Sequence, residues 1–383
     1  MSIVKFLFFA SGLMIFYPFI GYLLILRSIS FIRPINHIQN SSGFNPLVTL
    51  LISAYNEEAV IEKKILNTLA LNYPEDLLEI VIISDGSDDK TGEIVSKYAA
   101  KGILLRNYEG RIGKTACLNR TIPLAKGEII VFSDANSEYD RDAIKELVKN
   151  FEDPMTGFVT GITKYTSAEG SGVDSIGIYS KMEVITKRLE SRIGSCVGAD
   201  GAIFAIRKSL YEPLKNYDIN DFVIPMNVIK KGYTGWLESN AFCVEKSGDT
   251  KVEFSRQVRI NNRTIRAMFN NFGLLNPLKF GFFSFELLSH KLCRLLVPFF
   301  MLIFFMSNLV LITTREHLYI YIFIGHSLFY LMAMFRYMGF DFKKISGLLS
   351  ASYTFTMVNI AILLGWVKYL QGETFTVWSP TQR

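Results

Sequence analysis

VIISDGSDDKT (81–91) and IIVFSDANSEYD (129–140) decide how this chain is read. Each is a short apolar run that stops at aspartates, as a buried parallel strand does where its carboxyl end opens into a binding crevice. The surrounding pattern alternates strand and helix. LVTLLISA (47–54) is an apolar strand ending at Tyr55, Asn56, Glu57 and Glu58, and 60–70 has helical spacing through Ile61, Ile65, Leu66 and Leu69. LEIVIIS, a helix at 91–100, the strand GILLRN, a helix opened by EGRIGKTACLN and the strand GEIIVFSDAN complete the series. This β-α-β-α-β-α-β order predicts an α/β fold with a mostly parallel central sheet, right-handed crossovers and ligands at the carboxyl edge. Beyond Asp140 the order loosens: GFVTGITKY and GAIFAIRKSL read as strands, with a helix at 175–191 between them. NDFVIPMNVIKKGY reads as a helix that its Asn-Asp can cap.

Half of the 383 residues are apolar, more than one soluble domain needs. Residues 6–26, flanked by Lys5 and Arg27, are long enough to cross a bilayer, as are 295–314 and 345–367; 318–335 is shorter and holds His326. Four transmembrane helices are expected. The first reads as an uncleaved anchor, since it is long, contains Pro18 and lacks a small-residue cleavage pattern. Arg27 and Arg33 after the first span place the central domain in the cytoplasm. Lys368 and Arg383 leave the side of the tail open. FSRQVRINNRTIRAMFNNF and LKFGFFSFELLSHKLCRLLVPFF read as interfacial amphipathic helices, basic toward headgroups and apolar toward acyl chains, the second running unbroken into a span.

The formal charge of +6 suits an anionic membrane lipid surface, and no basic stripe interleaved with aromatics points to nucleic acid. Four scattered cysteines, Cys117, Cys196, Cys243 and Cys293, support neither a zinc site nor a disulfide framework.

Several polar residues carry two readings. Asp85 and Asp88 either meet a pyrimidine base and ribose or form an acidic strand-to-helix turn. In GRIGKTACLN the spacing of Gly110 and Gly113 is not that of a P-loop, which disfavours an ATPase; Lys114 is a charge for a diphosphate or a solvated lysine at a helix start. Asp134 and Asn136 form a D-x-[DN] triplet suited to a hard divalent cation, Mg2+ or Mn2+, or an ordinary strand-end turn. Asp221 is a general base or a helix cap. Asp200, near Gly198 and Gly201, lines an acceptor pocket or makes a turn. Arg256, Gln257 and Arg259 reach a diphosphate or lipid headgroups. Paired nucleotide and metal aspartates point toward a nucleotide-sugar donor.

SAYNEE, ISDGSDDKT, GRIGKTACLN, FSDAN, GADGAIFAIR, NDFVIP and RQVRI, in this order, resemble the membrane-integrated glycosyltransferases of family 2, the group of cellulose, hyaluronan and poly-N-acetylglucosamine synthases. The resemblance extends to the final GWVKYLQGETFTVWSPTQR. It implies a GT-A domain, a UDP-sugar donor, and inverting transfer to a polysaccharide or lipid-linked acceptor in cell-envelope synthesis. Donor contacts would fall on Ala54, Tyr55, Glu57, Asp85, Asp88, Gly113, Lys114, Asp134, Arg256 and Arg259. Asp200 and Gly201 would lie at the acceptor, Asp134 and Asn136 at the metal, and Asp221 would be the base. The family's Q-R-x-R-W has Ile260 in place of its Trp, which disfavours processive synthesis. The implied layout is an anchor and linker (1–45), a cytoplasmic catalytic domain (46–254), interfacial helices (255–294) and membrane helices with a tail (295–383). A bacterial plasma (inner) membrane is implied, and an oligomer or export partner stays open. Competing classes are a non-catalytic sugar-nucleotide-binding subunit and a transporter, the latter disfavoured by spans with few polar groups.

Overall fold

The fold is described from a computed structural model covering residues 1–32, 43–166, 173–246, 250–340 and 345–377; the side chains of 173–179 and 250–252 lie outside the description. Part of the expected linker (33–42) and the last residues of the expected C-terminal motif (378–383) also lie outside it. The chain opens with helices α1 (Ser2–Phe16) and α2 (Tyr22–Ile32), joined by a π-helical turn at Tyr17–Gly21.

The α/β region follows as β1 (Val48–Ala54), α3 (Ile61–Leu69), β2 (Leu78–Asp85), α4 (Thr91–Ser96), β3 (Ile103–Tyr108), α5 (Lys114–Thr121), β4 (Ile129–Asp134), β5 (Glu138–Tyr139) and α6 (Ala143–Val148). Then come β6 (Thr156–Thr166), α7 (Val173–Ile193), β7 (Ile203–Arg207), α8 (Asn220–Lys230) and β8 (Thr234–Lys246). One eight-stranded sheet has the order β3-β2-β1-β4-β7-β6-β8-β5. The first four strands are parallel, while β7 runs antiparallel to both β4 and β6. The fold is thus mixed, with its first four strands parallel and, among the described residues, four helices long and apolar enough to cross a membrane: Ser2–Ile32, Phe282–Thr314, His317–Tyr337 and Ser346–Leu370.

β1 is buried at every position, which explains its continuous apolar run. One face of the sheet packs Leu51, Val81, Phe132 and Phe204 toward α5 and α8; the other packs Leu50, Ile52, Ile82 and Val131 toward α3 and α6. Phe132 and Phe204 stack at 4.3 Å between ring centroids.

One strand was not expected, and two expectations are corrected. Sequence reading did not anticipate β8, whose Glu238, Ser239 and Asn240 hide the alternation and whose pairing with β6 contains register shifts. The run expected to continue unbroken into the second span divides at Gly281 into α10 (Pro277–Phe280) and α11 (Phe282–Leu287). It continues through a π-turn (Leu288–Leu292) into α12 (Cys293–Leu311), followed by α13 (His317–Tyr337) and α14 (Ser346–Leu370). Helix α9 (Thr250–Asn270) does not turn all its basic residues to headgroups. Arg263 donates to Tyr217 O and Thr115 Oγ1 at 3.0 and 3.3 Å, inside the protein. On the other side α9 meets α14 so closely that a Cβ on Gly365 would come within 2.9 Å of Asn261 Cβ. Trp366 is buried in this junction and donates to Leu295 O at 2.8 Å.

Candidate active site

Strand register brings the acidic strand ends together. Ala54 pairs with Ser84, one residue before Asp85, and Ser53 pairs with Asp134. Asp85 and Asp134 therefore flank the end of β1 two strand spacings apart, about 10 Å. The chain reverses direction across the sheet here, β1 lying between β2 and β4, as at a ligand-binding switch point of an α/β sheet.

Asp85 is buried, and its carboxylate is already engaged. Oδ1 accepts from the amides of Ile112 and Gly113 at 2.8 and 3.0 Å, Oδ2 from Gly113 at 3.1 Å, and Cys117 Sγ lies 3.4 Å from Oδ1. Burial and the nearby Asp85 carboxylate keep the Cys117 thiol protonated, so it donates. Asp85 thus anchors the loop that opens α5.

The β1 loop is laced to the β2 loop. Asn56 Nδ2 donates to Asp88 Oδ1 at 2.6 Å, the Asp88 amide returns to Asn56 Oδ1 at 3.0 Å, and the Glu57 amide donates to Thr91 Oγ1 at 2.9 Å. Tyr55 carries the Arg111 guanidinium 3.4 Å over its ring.

Gly113, the residue before α5, has φ +92°, and a Cβ there would come within 2.5 Å of Thr376 O. The stretch after α14 thus crosses back over the α5 loop. It is held by Arg266 Nη2 and Asn262 Nδ2, which donate to Glu373 O at 2.8 and 3.3 Å.

Lys114 Nζ pairs with Asp134 Oδ1 at 2.5 Å, with the Asp134 side chain 40% exposed. The turn carrying Asn136 is pinned from below. Lys64, buried to the point that its ammonium falls to about 8, donates to Ser137 O at 2.5 Å and lies 4.0 Å over the Tyr139 ring. Among the described residues no three His, Cys, Asp or Glu side chains form a metal cluster. Asp134 and Asn136 still fit a divalent cation of the kind that keeps waters and substrate phosphates as most of its ligands. The Asp134 carboxylate is accessible and already carries a positive group, Lys114.

Asp221 is not a cap. Ile219 occupies the N-cap of α8, and no side chain caps it. Asp221 Oδ1 is buried without a hydrogen-bond partner among the described residues. A Cβ on Gly201 would lie 2.9 Å from Asp221 Oδ2, so glycine there leaves this carboxylate its room and a larger residue would press on it. Burial raises the Asp221 carboxyl above the ordinary aspartate range and Asp200 adds to the rise, against Lys114, Lys187 and Arg263. Asp200 makes the turn: its carboxylate accepts from Thr163 and Ala202 amides at 3.0 and 3.1 Å.

Of the α9 arginines, Arg256 is bound to Glu253 at 2.8 Å on its own helix. Arg259 has no hydrogen-bond or ion-pair partner among the described residues. Burial first, then Arg263, Arg256 and Arg111, lowers its guanidinium to about 10. Four guanidinium groups gathered in one place suit a polyanion such as a diphosphate. Sequence reading passed over Arg111, Arg263, Lys64 and Asn56; Asn56 sits inside SAYNEE and Arg263 four residues after Arg259, but no local pattern marks their partners.

The eight-stranded mixed sheet with ligand-side aspartates is a GT-A fold, the architecture of nucleotide-diphospho-sugar transferases. Residues 49–214 match the family model Glycosyl transferase family 2, so the chain contains a family 2 glycosyltransferase domain. It is 36% identical over 133 residues to the β-monoglucosyldiacylglycerol synthase of Trichormus variabilis, covering 34% of this chain and 28% of that one. It is 31% identical over 206 residues to the poly-β-1,6-N-acetyl-D-glucosamine synthase of Staphylococcus aureus, covering 51% and 49%. The chain therefore spans about half or less of these curated relatives. The structure of the mannosyltransferase PcManGT from Pyrobaculum calidifontis, solved with GDP-Man and Mn2+, has the same fold over 97% of this chain and 99% of that one, with a TM-score of 0.77 at 19% identity.

Proposed function

We propose that the chain transfers a sugar from a nucleotide-diphosphate donor, in the first instance a UDP-sugar, to a hydroxyl at the membrane, with inversion at the anomeric carbon. The observation that carries this reading is the Asp221 carboxylate, buried, unpartnered and given room by Gly201 across from the Lys114–Asp134 pair. The base and ribose would sit over the end of β1, with Ala54, Tyr55, Glu57 and Asp88 beside them and Asp85 holding the floor loop in place. Lys114, Gly113, Arg259 and, once released from Glu253, Arg256 would receive the diphosphate.

Asp134 and Asn136 are the residues we assign to Mg2+ or Mn2+. When bound, the cation would offset charge on the departing diphosphate. Asp221 takes the proton of the acceptor hydroxyl while its oxygen attacks the anomeric carbon from the face opposite the diphosphate. Asp200 and Gly201 border the acceptor side. A raised proton affinity suits this role, because a base works best when its pKa approaches working pH. The reading includes a multi-pass protein of a bacterial plasma membrane with the domain 46–254 in the cytoplasm, and a polysaccharide or lipid-linked acceptor; Ile260 in place of the synthases' Trp favours the lipid.

The test is release of nucleoside diphosphate by detergent-purified protein from a panel of UDP- and GDP-sugars, with Mg2+ or Mn2+ and membrane lipid extract. Metal-dependent release from one donor, abolished in Asp221→Asn, is the expected result. No release from any donor by folded protein overturns the reading.

A further inference from the structure

The membrane-side flank of the acceptor region carries charge that this reaction does not use. Glu183 of α7 is its centre. Oε2 lies 2.6 Å from Arg294 Nη1 and 3.0 Å from His290 Nε2; Oε1 lies 3.6 Å from Lys291 Nζ and 3.9 Å from Lys187 Nζ. The other nitrogen of His290 meets Glu190 at 2.6 Å, and Glu190 also accepts from the Tyr22 hydroxyl at 2.8 Å and the Val197 amide at 3.0 Å. Glu190 and His290 thus pair with each other. Glu183 is left with three permanent cations, Lys187, Lys291 and Arg294.

Two of those cations are incompletely satisfied. An ammonium group has three N–H donors and no acceptor, and buried donors are nearly always paired. Lys187 is 8% exposed, yet neither its ammonium nor that of Lys291 makes a hydrogen bond to a described residue. Lys187 lies in the field of Asp221 and Asp200, and Lys291 Nζ is 5.8 Å from the ring centroid of Phe222, the neighbour of Asp221.

Lys291 and Arg294 belong to the apolar segment Phe282–Thr314 and immediately precede the expected span 295–314. That segment is wound as a π-helix over Leu288–Leu292, and the first span over Tyr17–Gly21. The two π-turns meet, with the Tyr17 hydroxyl 2.7 Å from Ser289 Oγ. Such turns are rare and concentrate at functional sites. Three clustered cations, ammonium donors in want of acceptors, a position next to the start of a span and proximity to the helix that carries Asp221 occur together.

We propose that Lys187, Lys291 and Arg294 form a subsite for the phosphodiester of an anionic membrane lipid, whose hydroxylated headgroup is the sugar acceptor beside Asp221. The proposal rests on the glycosyltransferase reading. The headgroup hydroxyl oxygen forms the new bond to the anomeric carbon, the bond from that carbon to the donor diphosphate breaks, and the hydroxyl proton passes to Asp221. The lipid phosphate is bound and unchanged.

The experiment places the full chain in nanodiscs of phosphatidylcholine with and without phosphatidylglycerol. Lipid retained on the protein is read by native mass spectrometry for wild type, Lys187→Gln, Lys291→Gln and Lys291→Arg. Preferential retention of phosphatidylglycerol is expected, falling about fivefold for each lysine neutralised and restored by Lys291→Arg, as about 1 kcal/mol per cation implies. Lys291 is the more exposed of the two lysines, so its variants stay informative if Lys187→Gln fails to fold. Equal retention of both lipids, or no loss in the folded glutamine variants, overturns the proposal. Complete displacement of phosphatidylglycerol by millimolar inorganic phosphate would reassign the site to free phosphate and also overturns it. Nucleoside diphosphate release by wild type is measured in parallel. Its absence with every donor counts against the glycosyltransferase reading and leaves the retention result standing on its own.

Discussion

Lys114 Nζ and Asp134 Oδ1 lie 2.5 Å apart across the junction of α5 and β4, so the carboxylate suited to a metal ion already holds a positive charge. Asp134 would hold a cation that arrives with the diphosphate, and Lys114, sharing that carboxylate, would be free to turn to the phosphates. Metal and donor should therefore bind together. Asp134→Ala is expected to weaken metal-dependent donor binding at least tenfold and to leave metal-free donor binding almost unchanged, measured by calorimetry with and without Mg2+. An unaltered metal titration would remove Asp134 from the metal site.

Asp221→Asn should lower transfer by about 10²–10⁴-fold, the usual worth of a positioned general base, with donor affinity retained. The raised Asp221 proton affinity fixes two signs. The base acts deprotonated, so activity falls on the acid side at a pH above that of an ordinary aspartate. A carboxyl whose folded pKa is raised stabilises the fold below its unfolded pKa, and that contribution is lost as pH rises through the folded value. At neutral pH, Asp221→Asn should therefore melt slightly higher than wild type. A lower Tm there would contradict the burial argument.

Gly113→Ala tests the closure of the chain over the loop that opens α5. Its φ of +92° disfavours any side chain, and the added methyl meets Thr376 O. A stability loss of about 1–3 kcal/mol and weakened donor binding are expected. Gly110→Ala, where φ is +69° and nothing lies within 4 Å, should cost only the backbone strain, about 1–2 kcal/mol, with donor binding kept. Denaturation and calorimetry on both variants separate the two effects.

Arg263 joins three elements, donating to Tyr217 O, Asp218 O and Thr115 Oγ1. Hydrogen bonds from a charged donor are worth about 1.5–3 kcal/mol each, so Arg263→Ala should destabilise by about that much and lower kcat more than donor affinity. Its positive charge also opposes protonation of Asp221. In the folded variant the acid limb of the pH profile should move upward. A fall in stability with a fixed acid limb would limit Arg263 to a structural role.

Much of the fold was legible along the chain. The strands β1, β2 and β4 are buried on both faces, so their apolar runs and terminal aspartates are local signals, and the helices between them follow from spacing. β8 was not legible, because Glu238 and Asn150, which meet across the structure, place a charge inside the strand that its own neighbours do not explain. The basic face of α9 read as a lipid surface for a similar reason. Helical periodicity says that arginines share a face, but not whether that face meets headgroups or the carbonyls of a loop 46 residues away.

The candidate residues divide in the same way. Sequence alone determined which carboxylates stand at strand and helix starts, that glycines precede α5 and β7, and that four apolar segments accompany the domain, since each is a property of contiguous residues. Only the tertiary structure decided their states. Asp85 is saturated by amides 27 and 28 residues further on, Asp134 is paired with Lys114 from 20 residues earlier, and Asp221, of these three, keeps a buried oxygen without a partner among the described residues. A carboxylate's type is encoded where it stands, whereas its charge, partners and proton affinity are set by whatever the folded chain packs around it.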